Sequence, residues 1–362
     1  MTFDREDELI MYNKLSNKIK TFFTIEVFDV LPENIKDFLI KSKGSDLKDS
    51  QLLYLSKLPW GKRSINDISV NEARDVLERT HSGMLSVKER ILRYIACQKH
   101  VGISYGVIML LVGPPGVGKT SIANAIANAM GRPFVKISLA GATDALVLKG
   151  ASSIFHDSKP GQIIEAVIKA DSFSPLILLD EVDKMGASTE HGNPTYALLD
   201  ILDSDRRHFV DDFFGISIDL SHIVFVATAN NINDISPILL NRLEVIKLNG
   251  YNTKEKIEIS EMHLIPNLYE EYAITKDELI LSSSIIEYII THFTNEPGIR
   301  SLERVLRKVI ETVVYRIELG ERFNTELQVK DINSIMNVSE NSKKIHKAKS
   351  KNTIVKKIED IL

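Results

Sequence analysis

Gly113-Pro114-Pro115-Gly116-Val117-Gly118-Lys119-Thr120 decides how this chain is read. It fits the pattern G-x-x-x-x-G-K-[ST], in which glycines let successive backbone N–H groups turn inward on a phosphate chain and the lysine adds a point charge. Before it, Val107 to Val112 is a short unbroken apolar run that reads as a buried strand. After it, Ser121 to Met130 repeats Ile122, Ala125, Ile126 and Ala129 at helical spacing. Strand, loop and helix therefore follow in the order that places an anion on the positive end of a helix. Gly113 to Ser121 are the expected nucleotide-binding residues, with Thr120 offering its hydroxyl to Mg²⁺.

A second stretch, Leu176-Ile177-Leu178-Leu179-Asp180-Glu181, ends an aliphatic run in two carboxylates. Phosphoryl transfer needs charge neutralised around the terminal phosphate and a nucleophile held in place, and two acids at a strand's exposed end can divide those tasks. Asp180 is expected to join Thr120 at Mg²⁺ and Glu181 to polarise the attacking water. Either stretch alone is an ordinary loop or strand end, but the two together, each behind a buried-strand pattern, point to a nucleoside triphosphate.

Further apolar runs at Phe134 to Ile137, Ile223 to Ala227 and Val245 to Leu248 alternate with helical or loop segments. This is how a parallel sheet covered on both faces reads, so residues 61–250 are expected to form a five-stranded α/β domain. Strand signals stop beyond Gly250. Lys254 to His263, Ser284 to Phe293 and Ile299 to Leu319 carry helical periodicity, giving a small helical domain over 251–340. Residues 1–60 read as a separate helical segment, with Ile35, Phe38 and Leu39 on one face after Pro32 and a stop at Gly44. Another helical pattern runs from Asn71, breaks at His81-Ser82-Gly83 and resumes with Val87, Ile91 and Ile95.

The 362 residues are 44% hydrophobic and carry a formal net charge of −4. That supplies ample core and no overall basic footprint for nucleic acid. Residues 341–362 depart from this balance with Lys343, Lys344, Lys347, Lys349, Lys351, Lys356 and Lys357. They read as a solvated, disordered tail, or as a polybasic arm for nucleic acid or an acidic partner. A single cysteine, Cys97, excludes an internal disulfide. The charged start Met1-Thr2-Phe3-Asp4-Arg5-Glu6-Asp7-Glu8 does not read as a secretory signal, and no stretch is long and apolar enough for a bilayer. The expectation is a soluble cytoplasmic protein without membrane contact.

From Leu58-Pro59-Trp60 to about Ile317, ordered blocks of the chain resemble the AAA+ ATPase part of Lon proteases. They are Val87-Lys88-Glu89-Arg90-Ile91, the phosphate loop, Asp180-Glu181-Val182-Asp183-Lys184, Ala227-Thr228-Ala229-Asn230, Leu240 to Ile246 with Arg242, and Pro297-Gly298-Ile299-Arg300-Ser301-Leu302-Glu303. The resemblance implies an AAA+ α/β domain followed by a helical lid, with ATP and Mg²⁺ as cofactors. It implies that Lys119 contacts the β and γ phosphates and that Asn230 senses the γ-phosphate or its water. Arg242 becomes the finger offered to a neighbouring subunit, and Arg300 the sensor in the lid. A homo-oligomeric ring, hexameric by resemblance, would then complete each site.

Three departures qualify the resemblance. The pore loop's aromatic-aliphatic pair reads Phe155-His156, which weakens apolar grip on a polypeptide. The family's His-Tyr-Gly near the base appears as His81-Ser82-Gly83, leaving His81 as an expected pocket wall without the ring beside it. After Gly320 there remain 42 residues (362 minus 320). That is too few for the serine-lysine peptidase domain of the family, so intrinsic peptidase activity is not expected. Two readings stay open: a ring ATPase that threads or remodels proteins, and an ATP-dependent assembly module or switch. Partners could include protein substrates, a separate peptidase, a full-length Lon relative or nucleic acid.

Overall fold

Ile108–Val112 (β1) is buried at every position and sits between two parallel neighbours, so its unbroken apolar character follows from having no solvent face. In the computed structural model, residues 5–42, 46–63, 68–81, 83–101, 108–186, 192–203 and 206–337 are described. They fall in two compact units. One spans Met1–Pro114 and Gly118–Leu248, the other Pro115–Val117 and Asn249–Leu362.

The first unit is built on a five-stranded parallel sheet. The further strands are Phe134–Ser138 (β2), Leu176–Asp180 (β3), Phe209–Asp211 (β4), Ile216–Ile218 (β5), Val224–Ala229 (β6) and Leu243–Lys247 (β7). The sheet runs in the order β2-β3-β6-β1-β7, and each of the five strands was legible in the sequence. Its registers set Leu110 beside both Ala227 and Val245 and Leu179 beside Ala227, which aligns the carboxyl ends of β1, β3 and β6. Ligands of open parallel sheets bind outside those ends.

β4 and β5 form a separate antiparallel hairpin that the sequence did not announce. Strands of three residues are too short for alternation to register. The helices before Trp60 pack into the same hydrophobic core as the sheet. Phe23, Phe28, Ile35, Leu39, Leu52 and Leu55 are fully or almost fully buried in one cluster with Phe213, Phe225 and Leu179. The segment 1–60 reads as separate from sequence, but its described helices, between Arg5 and Lys57, are too short to stand alone, and the hairpin side of the sheet unit supplies their partner surface.

The second unit is helical. Asn252 caps its first helix, Thr253–Ile259, in a reciprocal box: the Glu255 N–H donates to Asn252 Oδ1 (3.0 Å) and the Asn252 N–H to Glu255 Oε2 (2.8 Å). A π turn, Ser260–Leu264, leads into Ile265–Glu271. Ser283–Phe293 and Arg300–Glu318 follow. The last helix buries Leu302, Val305, Leu306, Val309, Ile310 and Val313, a stripe at three- and four-residue spacing. Each such side chain contributes about 1.5–3 kcal/mol on burial. Beyond Gly250 one isolated bridge, Ile280 with Glu326, is the strand-like feature among the described residues.

Candidate active site

The chain leaves β1 at Val112, and Pro114 and Pro115, lacking N–H groups, cannot extend it. Gly113 stays attached to the sheet, its N–H donating to the Ala229 carbonyl at 3.2 Å. Gly116 and Gly118 both take left-handed backbone conformations, with φ of 80° and 85°. Gly118 is the N-cap of the helix Lys119–Ala129, whose first internal bond is from the Ile122 N–H to the Gly118 carbonyl (2.8 Å). The amides ahead of Ile122 therefore have no helical partner, and the cap supplies no side chain to take them. The loop singled out in the sequence thus presents a run of amides without helical partners at the start of this helix.

Lys119 lies across the loop. Its Nζ donates to the carbonyls of Gly113 (2.6 Å) and Pro114 (2.9 Å) and to Asn230 Oδ1 (2.9 Å). Burial depresses its pKa, while Asp183, Asp180 and Glu181 pull the other way and favour the charged form. The two influences oppose one another at the loop.

Asp180, at the end of β3, accepts a short hydrogen bond from the Thr228 hydroxyl and pairs with Lys136 Nζ at 2.6 Å. Thr228 in turn accepts the Glu181 N–H at 3.0 Å. One buried hydroxyl thus fixes the start of both acidic residues. Glu181 itself is left-handed, with φ 59° and ψ 49°, a conformation costing a non-glycine residue about 1–2 kcal/mol. Its carboxylate makes no hydrogen bond or ion pair among the described residues and is half-buried.

Asp183 supports the next strand. Its Oδ2 accepts the N–H groups of Asn230 (3.0 Å) and Asn231 (3.2 Å), and its Oδ1 is buried without a partner. Thr228, Asp183 and Lys136 were given no role by sequence reasoning. Thr228 and Asp183 stand inside quoted blocks, but only the register of β3 against β6 shows which group each one holds. Lys136 carried no signal of its own.

Arg242 is exposed and pairs with Asp203 at 3.4 Å. It precedes Leu243, which is in register with Ile108, so it stands at the end of the sheet opposite Gly113. Arg300, in the second unit, is exposed and has no hydrogen bond or ion pair among the described residues. Within that unit Ile299 N–H donates to the Gly116 carbonyl (3.1 Å) and the Tyr251 hydroxyl to the Val117 carbonyl (2.9 Å). Burial pushes the Tyr251 hydroxyl up to about 12, so it remains a donor at neutral pH. His81 ends the helix Val70–Thr80 half-buried, with Nδ1 2.9 Å from the Thr80 hydroxyl, and Ser82 lies outside the described residues. Thr120 and Ser121 are exposed on the first turn after the loop.

Comparison with protein families matches residues 109–251 to the ATPase family associated with various cellular activities (AAA) and residues 270–325 to the Lon protease AAA+ ATPase lid domain. The chain carries the AAA ATPase and lid domains of the Lon family. It is 44% identical over 269 residues to a Lon protease of Wolbachia pipientis subsp. Culex pipiens, covering 74% of this chain and 33% of that protein. It is 39% identical over 276 residues to the mitochondrial Lon protease homolog of Schizosaccharomyces pombe, covering 75% and 26%. With the Lon protease of Rhizobium meliloti it shares 35% over 333 residues, 92% of this chain and 40% of that protein. The Lon-type ATPase region thus spans about a third of the length of the curated relatives it matches.

The donors of the Lon-type site suit Mg²⁺. Thr120 and Asp180 carry oxygen donors, the ligand type that Mg²⁺ takes together with phosphates and water. No helix among the described residues is long and apolar enough to cross a membrane.

Proposed function

We propose that this Lon-family region binds ATP with Mg²⁺, hydrolyses it as one subunit of a ring, and uses the energy to thread or remodel polypeptides. The observation that carries the reading is the placement of Lys119 on the carbonyls of Gly113 and Pro114 and on Asn230, at the mouth of a cradle of unpaired amides. The cradle amides bind the phosphate chain, and Lys119 exchanges its carbonyl partners for phosphate oxygens. Thr120 and Asp180 would hold Mg²⁺, which supplies charge neutralisation at the transferred phosphoryl group. Glu181, its carboxylate unpaired among the described residues, accepts a proton from the attacking water, and Asn230 orients that water or the phosphate.

Arg242 stands a strand's length, about 15 Å, from the loop of its own subunit, which supports its role as a finger supplied to a neighbour. The ring, hexameric by family, follows from that need. Arg300 is proposed as the lid's sensor, and His81 as a wall of the base pocket.

The loop that carries Phe155 supports threading. Phe155 is 66% exposed, and the residue beside it, Ile154, is 85% exposed. His156 pairs instead with Asp157 at 2.8 Å. An aliphatic-aromatic pair therefore exists one position earlier than the Phe155-His156 pair that the sequence suggested. The lysine-rich stretch 341–362 lies outside the described residues and carries no part of the reading.

The test is ATP turnover, with native mass measured with and without ATP. Lys119→Ala should abolish nucleotide binding, and Glu181→Gln should keep binding and stop turnover. Undiminished turnover in Glu181→Gln removes Glu181 from its role.

A further inference from the structure

The loop bearing Ile154 and Phe155 leaves and re-enters the first unit through two touching glycines. A Cβ on Gly150 would stand 2.7 Å from the Gly161 nitrogen and 3.0 Å from Asp211 Oδ1, and one on Gly161 would stand 2.0 Å from the Leu148 carbonyl oxygen. No side chain fits in this neck. Just above it the Ala151 N–H donates to the Lys159 carbonyl at 3.2 Å.

The short hairpin supplies what closes the neck from below. Asp211, at the end of β4, has no exposed surface. Its Oδ2 accepts the Gly161 N–H at 2.8 Å and its Oδ1 the Phe213 N–H at 3.0 Å. The next residue acts on the other foot, the Asp212 N–H donating to the Lys149 carbonyl at 2.7 Å. The two feet of the loop are thus tied to two consecutive residues, the last of β4 and the first of the turn after it.

The amino-terminal helices brace the same assembly. Gln51 Nε2 donates to the Phe213 carbonyl at 2.9 Å in a buried contact. Lys48 Nζ reaches the loop's tip, donating to the Phe155 carbonyl at 3.2 Å. A carboxylate with no exposed surface is costly to keep, and an apolar residue would pack as well if packing were its only task. What an apolar residue could not do is hold a backbone amide from each of two segments.

Resting on the reading that this loop engages polypeptide, we infer that Asp211 is the positioning residue that fixes the Gly161 foot of the loop 151–160 and so presents Ile154 and Phe155 as a stiff tip. Its carboxylate bonds the Gly161 and Phe213 amides and none of the groups placed around Lys119, so its effect is on coupling to substrate.

The full chain is compared with Asp211→Asn, which keeps one acceptor oxygen, and Asp211→Ala, which keeps none. Two readouts are taken: the rate of chymotryptic cleavage after Phe155 in the folded protein, and ATP turnover with and without casein. Cleavage should rise several-fold in Asp211→Ala and less in Asp211→Asn. Basal turnover should stay unchanged in both, and casein stimulation should fall in the same order. Unchanged cleavage in both variants overturns the inference, as does a rise matched by an equal loss of basal turnover, which would mark general unfolding. If Asp211→Ala does not fold, Asp211→Asn alone decides on the same two criteria. Should casein fail to stimulate the unmodified chain, the threading reading falls, while the cleavage rates still decide the role of Asp211.

Discussion

Asp183 holds Asn230 from behind. One carboxylate oxygen accepts the backbone N–H of Asn230 at 3.0 Å and of Asn231 at 3.2 Å, while the Asn230 side chain faces Lys119 Nζ at 2.9 Å. The end of β6 is therefore aimed at the phosphate loop by an acid on the turn after β3. Asp183→Ala should release Asn230 and lower kcat roughly ten- to a hundredfold with a smaller change in KM, the pattern expected when a preorganised polar group loosens. Asp183→Asn, which can still accept both amides, should keep more of the activity. Steady-state ATP turnover checks both, and equal loss in the two variants would show that charge, not positioning, is what Asp183 supplies.

Thr228 joins the two acidic residues by donating to Asp180 and accepting the Glu181 N–H. Thr228→Val preserves shape but leaves that amide without its acceptor in a half-buried site. Loss of about 1–3 kcal/mol is expected in urea unfolding, together with a higher Mg²⁺ requirement for turnover. An unchanged Mg²⁺ titration would detach Thr228 from the proposed metal site.

The sheet was legible because its strands are buried on both faces and spell themselves as unbroken runs, as in Leu176 to Leu179. The phosphate loop was legible because its glycines and lysine are each demanded by backbone geometry or charge. The supporting groups were not. Thr228 and Asp183 act through register, which brings residues 47 and 48 positions apart into contact and leaves no local pattern. The hairpin of β4 and β5 escaped for want of length. The docking of the described helices before Trp60 escaped because amphipathic helices announce a buried face without naming the surface that covers it.

Arg242 and Asp203 form an exposed pair at 3.4 Å, a class of contact worth about 0–1 kcal/mol. Arg242→Ala should therefore leave thermal stability nearly unchanged. If the arginine completes a neighbour's site, turnover should nevertheless fall by about 10³-fold or more. Mixing Arg242→Ala with Glu181→Gln subunits should restore part of the activity, because an intact Glu181 site can then meet an intact arginine. No recovery in mixed rings would place the finger elsewhere.

Asp211 also sets a dependence of stability on pH. Burial pushes its carboxyl up from 3.8 to about 7, partly offset by the Gly161 and Phe213 amides and reinforced by the neighbouring charge of Asp212. The folded protein thus holds this proton more tightly than the unfolded chain does. Its stabilising contribution is fully present below the unfolded value and is lost as pH rises through the folded one. From about pH 4 to pH 7 the loss should reach a few kcal/mol. Asp211→Asn cannot ionise and lacks this slope. Urea unfolding of both proteins at about pH 5 and pH 8 measures it: the stability of the unmodified chain relative to the variant should decline as pH rises. A difference that stays constant between the two pH values would mean that the Asp211 carboxyl does not titrate in this range, and that the amides of Gly161 and Phe213 outweigh its burial.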